Sequence, residues 1–240
     1  MFQDWIGRGS LRQDVVSDRL IGQFRATLPG LLAPAEVPLG LFWTLCPDAL
    51  DPSLLGRDGH PRLGVALPPL PLPRRMWAGG EIVFDAPLVA GDVVERDSRI
   101  EAITEKTGST GSLIVVSRRQ EYSGGGVRRL SERQDLVYRA DPVPGQAAVV
   151  YPVAPDLGAP VAVMDLPSDP VLLFRFSALT FNGHRIHYDL SYATEVERYP
   201  GLVVHGPLQA IMLYDAALRH APKGARPAQF QFRGMRPLFD

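Results

Sequence analysis

Residues 81–140 read EIVFDAPLVAGDVVERDSRIEAITEKTGSTGSLIVVSRRQEYSGGGVRRLSERQDLVYRA. Within them apolar and polar side chains alternate in EIVFDAPL (81–88), DVVERDSRIEAITEK (92–106), GSLIVVSRRQEYS (111–123) and VRRLSERQDLVYRA (127–140). A period of two marks strands with one packed and one wet face. The breaks at Gly91-Asp92, Thr107-Gly108 and Gly124-Gly125-Gly126 are hairpin signals, so the stretch is predicted as an antiparallel meander. Upstream, residues 10–29 space Val15, Val16, Leu20, Ile21, Phe24 and Leu28 as on one helix face, with Ser17 or Asp18 as N-cap and Pro29 as stop. A helix followed by such a sheet is an α+β arrangement.

Working outward, LGLFWTL (39–45) is a short apolar run, and residues 47–73 form a Pro- and Gly-rich loop long enough to be functional or a covering arm. Residues 141–170 are Pro-, Ala- and Gly-rich and read as a linker. Beyond it the sequence predicts a strand over VLLFRFSALT (171–180), a polar loop over FNGHRIHYD (181–189) and a short helix or turn over 191–201. A helix follows over 203–221, with Gly206-Pro207 near its start, and a last strand over 228–239. FDAPL (84–88) and FRGMRPL (232–238) form a weak internal repeat, each downstream of a helical segment. This gives an amino-terminal unit over 1–140, a linker over 141–170 and a carboxy-terminal unit over 171–240.

The composition narrows the function. The 240 residues carry a net charge of −1, so nothing draws the chain onto phosphate backbones or anionic lipid, and neither nucleic acid nor membrane is expected as a partner. A single cysteine, Cys46, excludes an internal disulfide or a cysteine-rich metal site and suits a reducing compartment. The start MFQDWIGRGS has no signal pattern and no stretch is long and apolar enough to span a bilayer, so cytoplasm is expected.

The chemistry concentrates in T-F-N-G-H-R-I-H-Y-D (180–189) and Y-P-G-L-V-V-H-G-P-L (199–208). Here the chain resembles the MaoC-like hotdog hydratases and dehydratases of acyl thioesters. Their pattern runs Asp-x-Asn-Pro-x-His-x-Asp, then Pro-Gly-aliphatic-x-x-His-Gly into a long helix. Asn182 stands at the family's Asp, His184 at its Asn and Arg185 at its Pro, while His187 and Asp189 match. Asn at the first position, and RRMWAGGEIVFDAPLVAGDVVERDSRI (74–100), resemble a branch of mitochondrial-type 3-hydroxyacyl-thioester dehydratases and bacterial mesaconyl-CoA (3-methylfumaryl-CoA) hydratases. The likeness runs from Trp5 to Phe239. It implies a double hotdog of two helix-wrapped antiparallel sheets, with a shortened carboxy-terminal unit carrying the single site and an amino-terminal unit completing the tunnel.

Adding water to an enoyl thioester needs a base for the water, an acid for the α-carbon and donors for an enolate-like oxygen. His187 is the first choice for base and acid. Asn182 cannot carry a proton at neutral pH and is expected to position water or hydroxyl by hydrogen bonding. The second proton carrier is left between His184, Asp189 (which alternatively holds His187 in one tautomer) and His187 itself by syn addition. Gly206, at a helix start, is assigned the oxyanion donor role with His205 beside it, its missing side chain admitting the thioester carbonyl.

Arg185, Arg233 and Arg236 are candidates for the CoA phosphates, against a reading as solvated surface charge, and Trp77 for core structure or the acyl pocket. His60 reads as a loop residue and His220 as a helix C-terminal charge. No metal and no cofactor is expected. The predicted activity is reversible hydration of an enoyl-CoA or enoyl-acyl carrier protein, a branched dicarboxylic C5 acyl-CoA ahead of straight-chain substrates. A hotdog thioesterase and a non-catalytic thioester-binding protein are the competing classes. An unfinished carboxy-terminal sheet edge predicts a homo-oligomer.

Overall fold

The computed structural model describes residues 2–108, 111–141, 156, 158–160 and 162–240. Its strands are β1 (Gly9–Val15), β2 (Arg74–Phe84), β3 (Val93–Gly108), β4 (Gly111–Gly124), β5 (Val127–Arg139) and β6 (Gln229–Arg233). They form one antiparallel sheet in the order β1-β3-β4-β5-β2-β6. Three α-helices accompany it: α1 (Asp18–Thr27), α2 (Pro170–Leu179) and α3 (Gly206–Arg219). No described helix is long and apolar enough to cross a membrane.

The meander holds for β3, β4 and β5: β3 runs through the predicted Thr107-Gly108 break to pair Gly108 with Gly111, and the β4–β5 turn falls at Gly124–Gly126. The Gly91-Asp92 break is not a hairpin. β2 pairs with β5 (Ile82↔Glu132) and with β6 (Ile82↔Phe230), so the chain crosses the sheet between β2 and β3. The repeated segments 84–88 and 232–238 thus begin on neighbouring strands.

Two further expectations are corrected. Residues 10–29 are not one helix: the first part is β1, registered as Arg12↔Arg96 and Asp14↔Val94. Its inward residues are polar and already satisfied, Arg12 by Asp48 (3.1 Å) and Asp14 by the Cys46 N–H (2.9 Å), which hides the strand pattern. Ser17 is the N-cap of α1, accepting from the Leu20 N–H at 3.3 Å, and Leu20, Ile21 and Phe24 are buried. Residues 171–180 form helix α2 and not a strand. The Asp169 side chain accepts from the Leu172 N–H at 2.8 Å and Pro170 takes the first turn, a helix start that outweighs the β-rich run. The linker reading over 141–170 lies largely outside the described residues.

The main core packs α1, the 3₁₀ turn Leu39–Thr44, α2 and α3 together with sheet residues such as Ile82 and Val94. Leu67 and Leu70 of the long Pro-rich segment pack with Ile100, Val116 and Leu136, so that segment is a cover over the sheet. The carboxy-terminal residues return to the loop before α3: Val204 N–H donates to Leu238 O (2.9 Å), and Leu202 N–H to the Asp240 carboxylate (2.9 Å). That strap fixes the backbone on which the site depends.

Candidate active site

Helix α2 ends at Thr180 and the chain turns through Phe181 in the left-handed region (φ 51°) into the polar loop. Asn182 Oδ1 accepts the His184 N–H (3.0 Å), and a 3₁₀ turn, Arg185–His187, presents the next imidazole. His187 Nδ1 lies 2.6 Å from the Val203 carbonyl, which can only accept, so Nδ1 carries the hydrogen and Nε2 the lone pair. The partner fixing this tautomer is Val203 and not Asp189. Asp189 instead pairs with Arg185 (2.7 Å) and accepts the Tyr192 N–H (3.0 Å). Arg185 is stacked over Tyr192 at 4.3 Å and bound to Asp189, which ties it to the loop.

The loop opens on a cavity of about 780 Å³ lined by β2, β4, the cover segment, α2 and α3. Three of the five histidines, His60, His184 and His187, line it, and His205 continues their row beneath the wall. His60 is 4.2 Å from His184, His184 5.4 Å from His187, and His187 stacks on His205 at 3.6 Å between ring centroids. Burial pulls His187 down from its usual 6.5 to about 4, with the Val203 hydrogen bond opposing. Burial likewise holds His60, His184 and His205 well below the ordinary histidine range. At neutral pH the row is uncharged, and His187 Nε2 is a proton acceptor in dry surroundings. His205 closes the row, its Nε2 2.8 Å from Ser177 Oγ on α2.

His60 is the functional-looking residue that sequence reasoning passed over. Its Nδ1 is 3.1 Å from the Asp58 carboxylate. Asp58, His60 and His184 also place three donor atoms within 4.8 Å of one another, the one such grouping among the described residues. The sequence offered a faint signal, a His and an Asp two apart in a loop too long to be a mere connector.

Gly206 begins α3 on the cavity wall, where first-turn N–H groups lack intrahelical acceptors. A Cβ there would lie 2.2 Å from Trp77 Cε3, so the space left by its missing side chain is filled by the indole and not by a carbonyl. Trp77 does line the cavity, edge-on to Phe232 at 5.0 Å and Trp43 at 5.9 Å. Arg233 and Arg236 are exposed at the cavity rim. The lining also holds three cations not singled out by sequence, Arg75, Arg96 and Arg118, of which Arg96 pairs with Asp48 at 2.6 Å. Arg75 is half-buried without an ion pair among the described residues. Arg118 pairs with Asp48 at 3.4 Å; burial pulls its pKa down, opposed by Asp48 and Glu132 and reinforced by Arg75 and Arg96.

Solved structures with this fold identify its class. A MaoC-like dehydratase superimposes with a TM-score of 0.69, covering 100% of this chain and 85% of its own at 13% identity. A conserved Mycobacterium tuberculosis protein described as a double hotdog fold gives 0.54, covering 99% and 82% at 12% identity. The architecture is the double hotdog. Residues 40–240 match the hydroxyacyl-thioester dehydratase type 2 family, and the chain belongs to it. It is 42% identical over 244 residues to the mesaconyl-C(4)-CoA hydratase of Chloroflexus aurantiacus, covering 98% of this chain and 84% of that protein.

Proposed function

We propose that this chain is a hydro-lyase that reversibly hydrates an enoyl-CoA, with a branched C5 dicarboxylic acyl group such as mesaconyl as its preferred substrate. The observation that carries the reading is His187: a buried, neutral imidazole with a fixed tautomer and a bare Nε2 facing a thioester-sized cavity. In hydration Nε2 takes one proton from water as the water oxygen bonds to the β-carbon. The π pair shifts toward the thioester oxygen, which the Gly206 N–H and the start of α3 stabilise. The imidazolium then returns that proton to the α-carbon on the same face. Water is added whole and the enzyme ends as it began.

The dicarboxylic preference rests on Arg75, which lines the cavity without an ion pair among the described residues, and on Arg118, because a free carboxylate on the reacting carbon can pair with them. Arg233 and Arg236 at the rim suit the CoA phosphates. The reading includes residues 1–140 as the unit that completes the tunnel, one site per chain whose motif loop lies in 171–240, and a cytoplasmic homo-oligomer. The test is absorbance of mesaconyl-CoA and crotonyl-CoA in the presence of the protein. Loss of the conjugated chromophore without release of free CoA, absent in a folded His187→Ala variant, is expected. Free CoA instead would identify a thioesterase.

A further inference from the structure

One proton acceptor leaves the attacking water half held. A water gripped through a single hydrogen can rotate its lone pair away from the β-carbon, and orientation is worth orders of magnitude in rate. Asn182 Oδ1 already accepts the His184 N–H at 3.0 Å, which leaves it one lone pair and a weaker hold on the water. Asp189 is spent on Arg185 and Tyr192.

We infer that His60, held by Asp58, is a second catalytic residue of this site: its Nε2 accepts the second hydrogen of the attacking water while His187 takes the proton. The carboxylate of Asp58 can only accept, so at 3.1 Å it fixes the His60 hydrogen on Nδ1 and leaves Nε2 bare. The ring borders the cavity 4.2 Å from His184, on the side of the row away from His205.

The segment carrying it is bound to the catalytic loop itself. Arg185 N–H donates to Asp58 O at 2.9 Å, and the Arg185 guanidinium to Arg57 O at 3.1 Å. Gly59, at φ +86°, lies so close that a Cβ would stand 1.9 Å from Gly183 O. Asp58 Oδ1 also accepts the His60 N–H at 3.1 Å, and Gly56 N–H donates to His60 O at 2.7 Å. A surface loop residue would not need five such constraints.

The step balances. One water O–H bond breaks and its proton passes to His187. The other O–H stays intact, donated to His60, and becomes the hydrogen of the new hydroxyl. The proton on His187 goes to the α-carbon as the enolate pair returns. Asp58 is a positioning residue, acting through the His60 tautomer.

This inference rests on the hydratase reading, so wild-type turnover of mesaconyl-CoA is measured first, then that of His60→Leu, His60→Gln and Asp58→Asn. Folding is checked by circular dichroism, and thioester affinity by calorimetry with a saturated acyl-CoA. Loss of one preorganised polar partner costs about 100- to 1,000-fold in kcat, and that fall is expected for His60→Leu with KM and analogue affinity unchanged. His60→Gln, whose amide oxygen can accept, should recover at least about tenfold of it. Asp58→Asn should lower kcat alone.

A kcat in His60→Leu within threefold of wild type overturns the proposal while leaving the hydratase reading standing. So does a change confined to KM. So does a stoichiometric metal ion that is lost in His60→Gln and restores activity on return. Should His60→Leu not fold, a His60→Gln variant that folds with wild-type kcat and a wild-type Asp58→Asn together overturn it. A wild-type protein that binds thioesters and hydrates none overturns both readings.

Discussion

His187 is neutral because it is buried, and this ties the proposed proton transfer to stability. Its folded pKa of about 4 lies below the ordinary 6.5, so between those values the unfolded chain takes up a proton the folded one refuses. Stability is full above pH 6.5 and is lost as pH falls toward 4. This residue alone accounts for on the order of 3 kcal/mol. His60, His184 and His205 shift the same way. Urea midpoints at pH 7 and pH 5 should therefore differ, and His187→Gln should narrow the difference. Gly206 gives a second prediction at this scale. Gly206→Ala drives a methyl to 2.2 Å from Trp77 Cε3, and overpacking of that kind costs about 1–3 kcal/mol. Thermal unfolding should show the loss, and a Trp77→Leu background should remove most of it. His187 was legible because the loop motif surrounds it. His60 was not, since 124 residues separate it from His184 and nothing local joins them.

At the scale of elements, the misread segments share a cause. Helix α2 looks like a strand because Val171 and Phe174 are apolar yet exposed, which erases the helical period. β1 looks like helix because its inward side chains are Arg12 and Asp14, whose partners, Asp48 and the Cys46 N–H, come from a distant segment. In both, local pattern lost to a contact or a cap. The cap is testable: Asp169→Ala should cost about 1 kcal/mol by chemical denaturation. It should also loosen Ser177, and with it His205, since both hang from α2. The long β3–β4–β5 hairpins were legible because alternation and glycine turns agree there.

Across the whole molecule, the cavity joins segments far apart in the chain. The sheet supplies Arg75, Trp77 and Arg118, and residues 180–219 the histidine-bearing loop and α3. Arg75→Gln should therefore change which substrate is turned over and not whether turnover occurs. The ratio of kcat/KM for mesaconyl-CoA over crotonyl-CoA is expected to fall about tenfold or more, the weight of a charge-assisted hydrogen bond. β1 and β6 end the sheet, and Phe174, Phe181 and Leu213 are exposed beside the cavity. Light scattering on the eluting protein should give a mass of at least two chains.

The sequence by itself determined the α+β class, the three-strand meander, helix α3 and the loop that bears Asn182, His184 and His187. Each is written in contiguous residues as a period, a turn or a cap. Tertiary structure alone decided that β2 lies between β5 and β6, that Val203 and not Asp189 fixes the His187 tautomer, and that His60, Arg75 and Arg118 share the cavity. Those relations join residues far apart in the chain. Burial, hydrogen bonding and charge act through space, and no local pattern records which distant segments will meet.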